Sequence, residues 1–278
     1  MRQYTIVQSR ILTPEILQGL SFFRPRRLNE QAALIEHEDA ALTKAIEALK
    51  LDLAYVPSSQ NLEHIGLVAM DMDSTLITIE CIDEIADFCG LKAEVAAITK
   101  RSMAGEIDFA QSLQERVALL KGLPLQVLEE VYEKRLALNP GSERLLAELK
   151  KRGIKTLLVS GGFTFFTERL QKRLGLDYAF ANTLEVNNGV LTGNIVGEIV
   201  DAHKKAFYLA YVGEKENLFR QETVAIGDGA NDLLMLEQAG ISVAYRAKAI
   251  VQQKARYCLN HSGLDGVLNL FSDFLGLV

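Results

Sequence analysis

The sequence predicts an α/β protein with a parallel sheet that has helices on both faces. Three apolar, β-rich segments each end in Gly, Ser or Asp just before a helical pattern: Gly66–Asp73, Ile154–Gly162 and Glu222–Gly229. Apolar strands that alternate with helices are typical of a parallel sheet covered on both faces, which is a Rossmann-like core. Ligands bind beyond the carboxyl ends of the strands in such sheets, so the three polar ends should meet in space.

Before these segments, residues 1–62 predict a small N-terminal α+β domain. Its elements follow from short apolar patterns: strands at 4–8, within 27–37 and at 51–57, and helices at 13–20 and 41–50. A loop rich in Pro, Ser and Asn follows at 57–61 and is suited to a linker. No residue in this part suggests chemistry, so its role stays open.

Between the first two sheet strands the chain is predicted to be helical throughout. Four helical segments punctuated by glycines cover this region: 81–90, 92–105, 108–122 and 124–138. An insertion that directly follows the first strand end is positioned to act as a lid. We therefore predict a four-helix cap domain at 80–138 and a core formed by 63–79 and 139–278.

The composition excludes several classes of protein. With 278 residues, 49% of them hydrophobic, the chain can bury a large core and a smaller unit, which argues against a disordered or fibrous protein. The net charge of −6, from 30 basic and 36 acidic residues, gives no overall positive field to attract nucleic acid or an anionic membrane. Any anionic ligand must therefore be held by local charges.

The N-terminal sequence and the cysteines predict a soluble, cytoplasmic protein. Residues 1–20 lack the continuous apolar stretch of a signal peptide, and no apolar run approaches the ~20 residues that a bilayer span needs. Cys81, Cys89 and Cys258 form no CxxC pair and are interpreted as buried thiols in a reducing compartment. The sequence leaves the oligomeric state open, with a homodimer as one candidate.

Acidic residues follow two of the predicted strands. Asp71 and Asp73 are two residues apart and would share a face at a strand end, although a solvated strand end or a helix cap would look similar. Asp228, Asn231 and Asp232 follow another strand, where a capped turn is the alternative. Carboxylates at one sheet edge repel one another unless a cation is present. Oxygen ligands without His or Cys favour Mg²⁺ over zinc.

The remaining strand end carries Ser160, Gly161 and Gly162. A hydroxyl and open backbone N–H groups at a helix N-terminus can bind phosphate oxygens. A plain turn from strand to helix has much the same composition. Taken alone, this segment leaves both interpretations open.

Together the motifs DMDST, SGG and GDGAND, in this order and with a basic residue between the last two, resemble those of the haloacid dehalogenase superfamily of aspartyl-phosphate phosphatases. Within it, the closer resemblance is to the phosphoserine phosphatase family. It rests on Glu80 in the pattern DMDSTxxxxE and on Met103–Pro124, which is similar to the helical cap of that family. The resemblance extends from about Gly66 to the C-terminus, and residues 1–60 lie outside it.

The resemblance implies Mg²⁺-dependent hydrolysis of phosphoserine to serine and phosphate. Asp71 would be the nucleophile that forms an aspartyl-phosphate, and Asp73 would act as general acid and then as general base. Mg²⁺ would be held by the carboxylates of Asp71 and Asp228 and by the backbone carbonyl of Asp73. Asn231 would lie beside the metal and contact the substrate, and Asp232 would support the metal ligands.

The resemblance also assigns phosphate binding to Ser160, Gly161 and a lysine. The sequence offers Lys204 and Lys205, and the family pattern of a lysine shortly before an apolar helix fits Lys205 better. Without the resemblance, either lysine would be expected to be a solvated surface residue.

Substrate selection is assigned to the cap by the same resemblance. Glu80 would lie near the amino group of phosphoserine, and Arg116 would bind its carboxylate with a planar, bidentate fork. The alternative for Arg116 is a surface ion pair with an acidic residue four positions away on the same helix. Met103 and Phe109 match apolar positions that shield the substrate, whereas packing in the helix core is the default for such residues.

Two other functions compete with this interpretation. A related enzyme could hydrolyse another small phosphate monoester, such as phosphohomoserine, or transfer its phosphate to an alcohol. A non-catalytic regulator could bind a metal or phosphate while its N-terminal unit senses a small ligand. The pair Asp71 and Asp73 disfavours the regulator, because binding alone does not need both.

Overall fold

The structure, a computed structural model, describes residues 2–277. Its first sheet is formed by the N-terminal part of the chain. The four strands are β1 (Gln3–Gln8), β2 (Pro25–Arg27), β3 (Ala32–Ile35) and β4 (Asp52–Pro57). They pair antiparallel in the order β2-β3-β1-β4, and two helices connect them, α1 (Pro14–Gly19) and α2 (Leu42–Leu49).

Side-chain alternation buries this first sheet on both faces. Val7 points to one face and packs with Leu42 and Ile46 of α2. Its neighbour Ile6 points to the other face and joins the large core that also contains Phe271 near the C-terminus. The N-terminal sheet therefore lies against the rest of the molecule through a shared apolar interface.

The main sheet has the predicted α/β form. Its strands are β5 (Leu67–Met70), β6 (Lys155–Phe163), β7 (Tyr178–Asn187), β8 (Val190–Val196), β9 (Thr223–Gly227), β10 (Ile241–Tyr245) and β11 (Tyr257–Leu259). They lie in the order β11-β10-β9-β5-β6-β7-β8, and neighbours are parallel except for the antiparallel pair of β7 and β8. All four residues of β5 are buried, as expected for a central strand.

Helices cover both faces of this sheet, and four more are inserted after β5. The inserted helices are α3 (Cys81–Phe88), α4 (Lys92–Met103), α5 (Phe109–Ala118) and α6 (Gln126–Lys134). The others are α7 (Ser142–Lys151), α8 (Thr164–Leu174), α9 (Ala202–Lys215), α10 (Leu233–Gln238) and α11 (Ala249–Gln252). Apolar residues of α9 and α10 pack on one face of the sheet, and those of α7 and α8 pack on the other.

The cysteines differ from the expectation of three buried thiols. Cys81 is buried in α3, but Cys89 and Cys258 are only half-buried, because they lie at the end of a helix and on the edge strand β11. Among residues 2–277, none of the helices has both the length and the apolar character needed to cross a bilayer.

Candidate active site

The carboxyl ends of β5, β6 and β9 meet at one edge of the sheet, beneath the inserted helices. There they border a cavity of about 700 Å³. The sheet side of its lining includes Asp71, Asp73, Gly161, Gly162, Asp228 and Asn231, and the inserted segment contributes Glu80, Asp83, Met103, Phe109 and Arg116. Residues as far apart in the chain as Asp71 and Asn231 thus share one cavity, because parallel strands end at the same edge.

The two aspartates of the DMDST motif do not lie within a strand, contrary to the geometry expected from their spacing. β5 ends at Met70, and a turn follows in which Ser74 has a left-handed backbone with φ of 56°. Asp71 Oδ1 accepts a hydrogen bond from the N–H of Met72 at 2.7 Å. Asp73 Oδ1 accepts one from the N–H of Cys81 at 3.0 Å. Turn hydrogen bonds, rather than strand alternation, therefore direct both carboxylates.

Lys205 lies in the interior of the site and is fully buried. Its Nζ is 2.7 Å from Asp71 Oδ1 and 2.7 Å from Asp232 Oδ1. Burial alone would lower the pKa of Lys205, but the two carboxylates outweigh it and raise that pKa above its usual value. Lys204 instead forms an ion pair with the exposed Glu198. The expectation of a solvated surface lysine is therefore wrong for Lys205.

Three carboxylates gather around this lysine. Asp71, Asp228 and Asp232 each offer an oxygen, and these oxygens lie within 4.8 Å of one another. Burial, followed by the charge of Asp232, raises the pKa of Asp71 well above its ordinary value and the pKa of Asp228 to about 7. This crowding of like charges, with only oxygen atoms as donors, fits a hard divalent cation.

Asp232 is buried and organises the turn that carries Asp228. Its Oδ2 accepts the N–H groups of Asp228 at 3.1 Å and Gly229 at 2.9 Å, while its Oδ1 faces Lys205. Thr75 Oγ1 donates to Asp228 Oδ1 at 3.2 Å and joins that carboxylate to the turn after β5. Both oxygens of Asp232 already accept hydrogen bonds, which suits a supporting position.

Asp73 has the properties of a group that can both give and take a proton. Burial, and next the charge of Glu80, raises the pKa of Asp73 to about 7. A carboxyl with a pKa near neutrality is present in both protonation states at physiological pH, which is what general acid–base catalysis needs.

The glycines of the SGG motif allow two close approaches. A Cβ on Gly162 would lie 2.8 Å from Asp73 Oδ2, and a Cβ on Gly161 would lie 2.9 Å from Cζ of Phe109 in the inserted segment. Ser160 is buried, and its Oγ accepts the N–H of Gly162 at 2.8 Å. The motif therefore brings the backbone of β6 close to both Asp73 and the inserted helix α5.

Three residues of the inserted helices that are expected to contact the substrate line the cavity: Met103, Phe109 and Arg116. Arg116 is half-buried and its Nε donates to the carbonyl of Ser112 at 3.3 Å. Burial lowers its pKa, although nearby Asp83 opposes that shift. Among the described residues it forms no ion pair within 4 Å, so the alternative of a surface pair does not hold. Met103 is 75% exposed rather than packed in a helix core, and Phe109 is half-buried.

Glu80 lies at the rim of the cavity. It is exposed, and its Oε1 accepts a hydrogen bond from Ser74 Oγ at 2.7 Å. Asn231 is half-buried in the turn after β9 and lines the same cavity. The structure thus brings the candidate residues from the strand ends, the inserted helices and α9 to one site.

Several residues of the site were missed by sequence reasoning. The buried amide of Asn182 donates to Gly161 O at 2.8 Å and orients the SGG segment. Asn139 Nδ2 donates to the carbonyls of Thr75 at 2.9 Å and Ile77 at 3.0 Å, which stabilises the turn after β5. Lys248 lines the cavity. Asn139 is the first residue of the predicted core segment 139–278, and this position could have marked it as a candidate. Asn182 and Lys248 stand in no local sequence pattern that would have identified them.

The comparisons with known proteins agree with this geometry. The chain matches the family model described as haloacid dehalogenase-like hydrolase over residues 68–237. A phosphoserine phosphatase from Polaromonas sp. is 52% identical over 209 residues, which cover 73% of this chain and 89% of that protein.

Two solved structures of phosphoserine phosphatases also match this chain. The crystal structure of a probable phosphoserine phosphatase from Vibrio cholerae, in unliganded form, matches with a TM-score of 0.86 and 40% identity over 99% of this chain and 88% of that one. A structure of a phospho-aspartyl intermediate analogue of phosphoserine phosphatase matches with a TM-score of 0.69 and 42% identity, over 74% of this chain and 98% of that one. The chain therefore belongs to the phosphoserine phosphatase family of the haloacid dehalogenase-like hydrolases.

Proposed function

We propose that the protein is a phosphoserine phosphatase that hydrolyses O-phospho-L-serine to L-serine and phosphate through an aspartyl-phosphate. The observation that carries this proposal is the contact of buried Lys205 with Asp71 beneath a cavity whose cap side presents Glu80 and Arg116. Phosphoserine carries a phosphate, an ammonium and a carboxylate. The cavity offers a counter-charge for each of these three groups.

In the first step Asp71 is the nucleophile. Both contacts that the described residues make to its carboxylate, from Met72 N–H and Lys205 Nζ, reach Oδ1, so Oδ2 is left to attack phosphorus. A bond forms between Oδ2 and phosphorus as the bond from phosphorus to the serine oxygen breaks. Protonated Asp73 gives its proton to that departing oxygen, so serine leaves as a neutral alcohol.

The second step releases phosphate. A water molecule attacks phosphorus of the aspartyl-phosphate, and Asp73, now ionised, takes the proton of that water. The bond between phosphorus and Asp71 breaks, which restores the carboxylate. Lys205, with Ser160 and the backbone of Gly161, binds the phosphoryl oxygens in both steps.

The resident metal is proposed to be Mg²⁺, held by the carboxylates of Asp71 and Asp228 and the backbone carbonyl of Asp73. When bound, it neutralises charge on the phosphoryl group and on the carboxylates around it. Asp232 holds the Asp228 turn through two N–H groups, and Asn231 extends the wall on the substrate side.

Removal of the metal should abolish turnover. We expect EDTA treatment to stop phosphate release from phosphoserine, because three crowded carboxylates then repel the incoming phosphate dianion. Added Mg²⁺ should restore the rate. A rate that persists in EDTA would contradict the metal assignment.

The substrate itself is tested with a panel of phosphate monoesters. L-phosphoserine should have the highest kcat/KM among L- and D-phosphoserine, phosphothreonine and phosphohomoserine, and phosphate release should need no acceptor alcohol. A preference for phosphohomoserine, or a rate that depends on an added alcohol, would favour the related enzymes considered above.

Arg116→Ala should weaken phosphoserine selectively. The loss of a charge-assisted, bidentate contact to the substrate carboxylate is expected to raise KM for phosphoserine about 10–100-fold. An aryl phosphate without a carboxylate should be affected much less, so steady-state kinetics on both substrates measure the effect. Arg101→Ala is the matched control, since Arg101 pairs with Glu115 on the cap surface. Equal losses on both substrates would count against the assigned role.

We also propose the division of the chain into an N-terminal domain at 1–62, a cap at 80–138 and a core formed by the rest. The four helices of the cap lie between β5 and β6, where closure over the cavity would exclude water. A cytoplasmic location and a homodimer are part of the same proposal. Cell fractionation and light scattering test these two points.

A further inference from the structure

Ser74 has a backbone conformation that disfavours any residue except glycine. It follows Asp73 in the turn after β5, with φ of 56° and ψ of −5°. Glycine adopts this left-handed region without steric cost, whereas a residue with a Cβ is strained there. A strained residue beside a catalytic group points to a function for its side chain.

Within the described part of the chain, the side chain of Ser74 forms a hydrogen bond to Glu80. Its Oγ donates to Glu80 Oε1 at 2.7 Å, across a loop that the N–H of Ser74 closes by donating to the carbonyl of Ile79 at 3.2 Å. Asn139 Nδ2 approaches the carbonyl of Ser74 at 3.3 Å from the returning end of the cap. Hydrogen bonds thus hold both the N–H and the carbonyl of Ser74, while its hydroxyl extends to the rim of the cavity.

Glu80 depends on this contact for its orientation. It is exposed, and the hydrogen bond from Ser74 is the one that its carboxylate accepts from the described residues. A long, exposed carboxylate otherwise samples several rotamers, and ordering it when substrate binds costs free energy. A hydroxyl that orders it beforehand removes part of that cost.

We propose that Ser74 is a positioning residue that holds Glu80 at the cavity rim and thereby selects substrates with an ammonium group near the phosphate ester. This inference rests on the proposed function, in which Glu80 binds the ammonium of phosphoserine. Glycine at this position would relieve the backbone but would leave Glu80 without its donor.

The test compares Ser74→Gly with Ser74→Ala. Both remove the hydroxyl, and only the glycine relieves the left-handed strain. For both variants the ratio of kcat/KM for phosphoserine to that for p-nitrophenyl phosphate should fall about tenfold, mainly through KM for phosphoserine. The thermal unfolding midpoint of Ser74→Gly should equal or exceed that of the wild type, and that of Ser74→Ala should not.

A double-mutant cycle identifies Glu80 as the residue through which Ser74 acts. In a Glu80→Ala background, Ser74→Gly should cause no further change in the substrate ratio. Lys50→Gly is the matched control, because Lys50 has φ of 53° at the end of α2, far from the site in sequence, and should change stability without changing the ratio.

Three results would separate the possibilities. The first is an unchanged substrate ratio in both Ser74 variants together with a lowered ratio in Glu80→Ala. That result would overturn the role of Ser74 and leave the proposed function intact. A full additional loss in the double variant would also overturn it. A wild-type protein that does not hydrolyse phosphoserine would remove the proposed function itself.

Discussion

Asp71→Asn should reduce phosphate release from phosphoserine by about 10⁴-fold or more, because an amide cannot replace the carboxylate as nucleophile. The variant should stay folded. Asparagine keeps an oxygen that can accept from Met72 N–H and Lys205, whose contacts to Oδ1 are both 2.7 Å. Burial and neighbouring carboxylates raise the pKa of Asp71, so a neutral isostere relieves repulsion in the metal-free protein.

Two measurements check this prediction. Phosphate release gives the rate, and mass spectrometry after an acid quench should find phosphorylation on the peptide of Asp71 in the wild type and not in the variant. Asp177→Asn is the control, since the exposed Asp177 pairs with Lys155 at the amino end of β6 and should leave turnover intact. Retention of most of the wild-type rate in Asp71→Asn would remove the covalent mechanism.

Sequence reasoning found those parts of the site that local patterns mark. Asp71, Asp73 and Asp228 follow apolar runs directly, and a parallel sheet places such ends together. The orientation of Asp71 and Asp73 was not accessible in this way, because it depends on the turn after Met70 and on hydrogen bonds to Met72 and Cys81. The spacing of two residues predicts the direction of their side chains only where both residues lie within a regular strand.

The burial of Lys205 was harder to predict from the sequence than the positions of the acidic strand ends. Lys205 stands in a lysine pair next to a histidine, which by composition alone is typical of an exposed helix start. It is buried because Asp232, 27 residues later on another element, meets it inside the fold. The far strands β10 and β11 were also not predicted, and β11 has only three residues, too few for a periodic signal. Both cases depend on tertiary contacts that no local window contains.

Lys205→Met should abolish most turnover and also destabilise the protein. The substitution removes the cation that contacts Asp71, the proposed nucleophile, and we expect kcat to fall by about 10³-fold or more. It also leaves Asp71 and Asp232 buried without their shared partner, each at 2.7 Å in the wild type. Breaking such a buried pair from one side should lower the free energy of unfolding by about 3–5 kcal/mol.

The destabilisation should depend on pH in a defined direction. Lys205 lowers the pKa of Asp71, which burial and neighbouring carboxylates already raise. Without Lys205 that folded-state pKa rises further above the unfolded value, so the fold loses stability as the pH rises and Asp71 must ionise. The difference in unfolding free energy between wild type and variant should therefore be larger at pH 8 than at pH 5, when measured by denaturant titration in EDTA. Lys204→Met is the matched control, because that neighbouring lysine pairs with the exposed Glu198, so its substitution should change the free energy of unfolding far less than Lys205→Met does. Equal losses of unfolding free energy in the two lysine variants would contradict a buried charge network around Asp71. So would a difference between wild type and Lys205→Met that is larger at pH 5 than at pH 8.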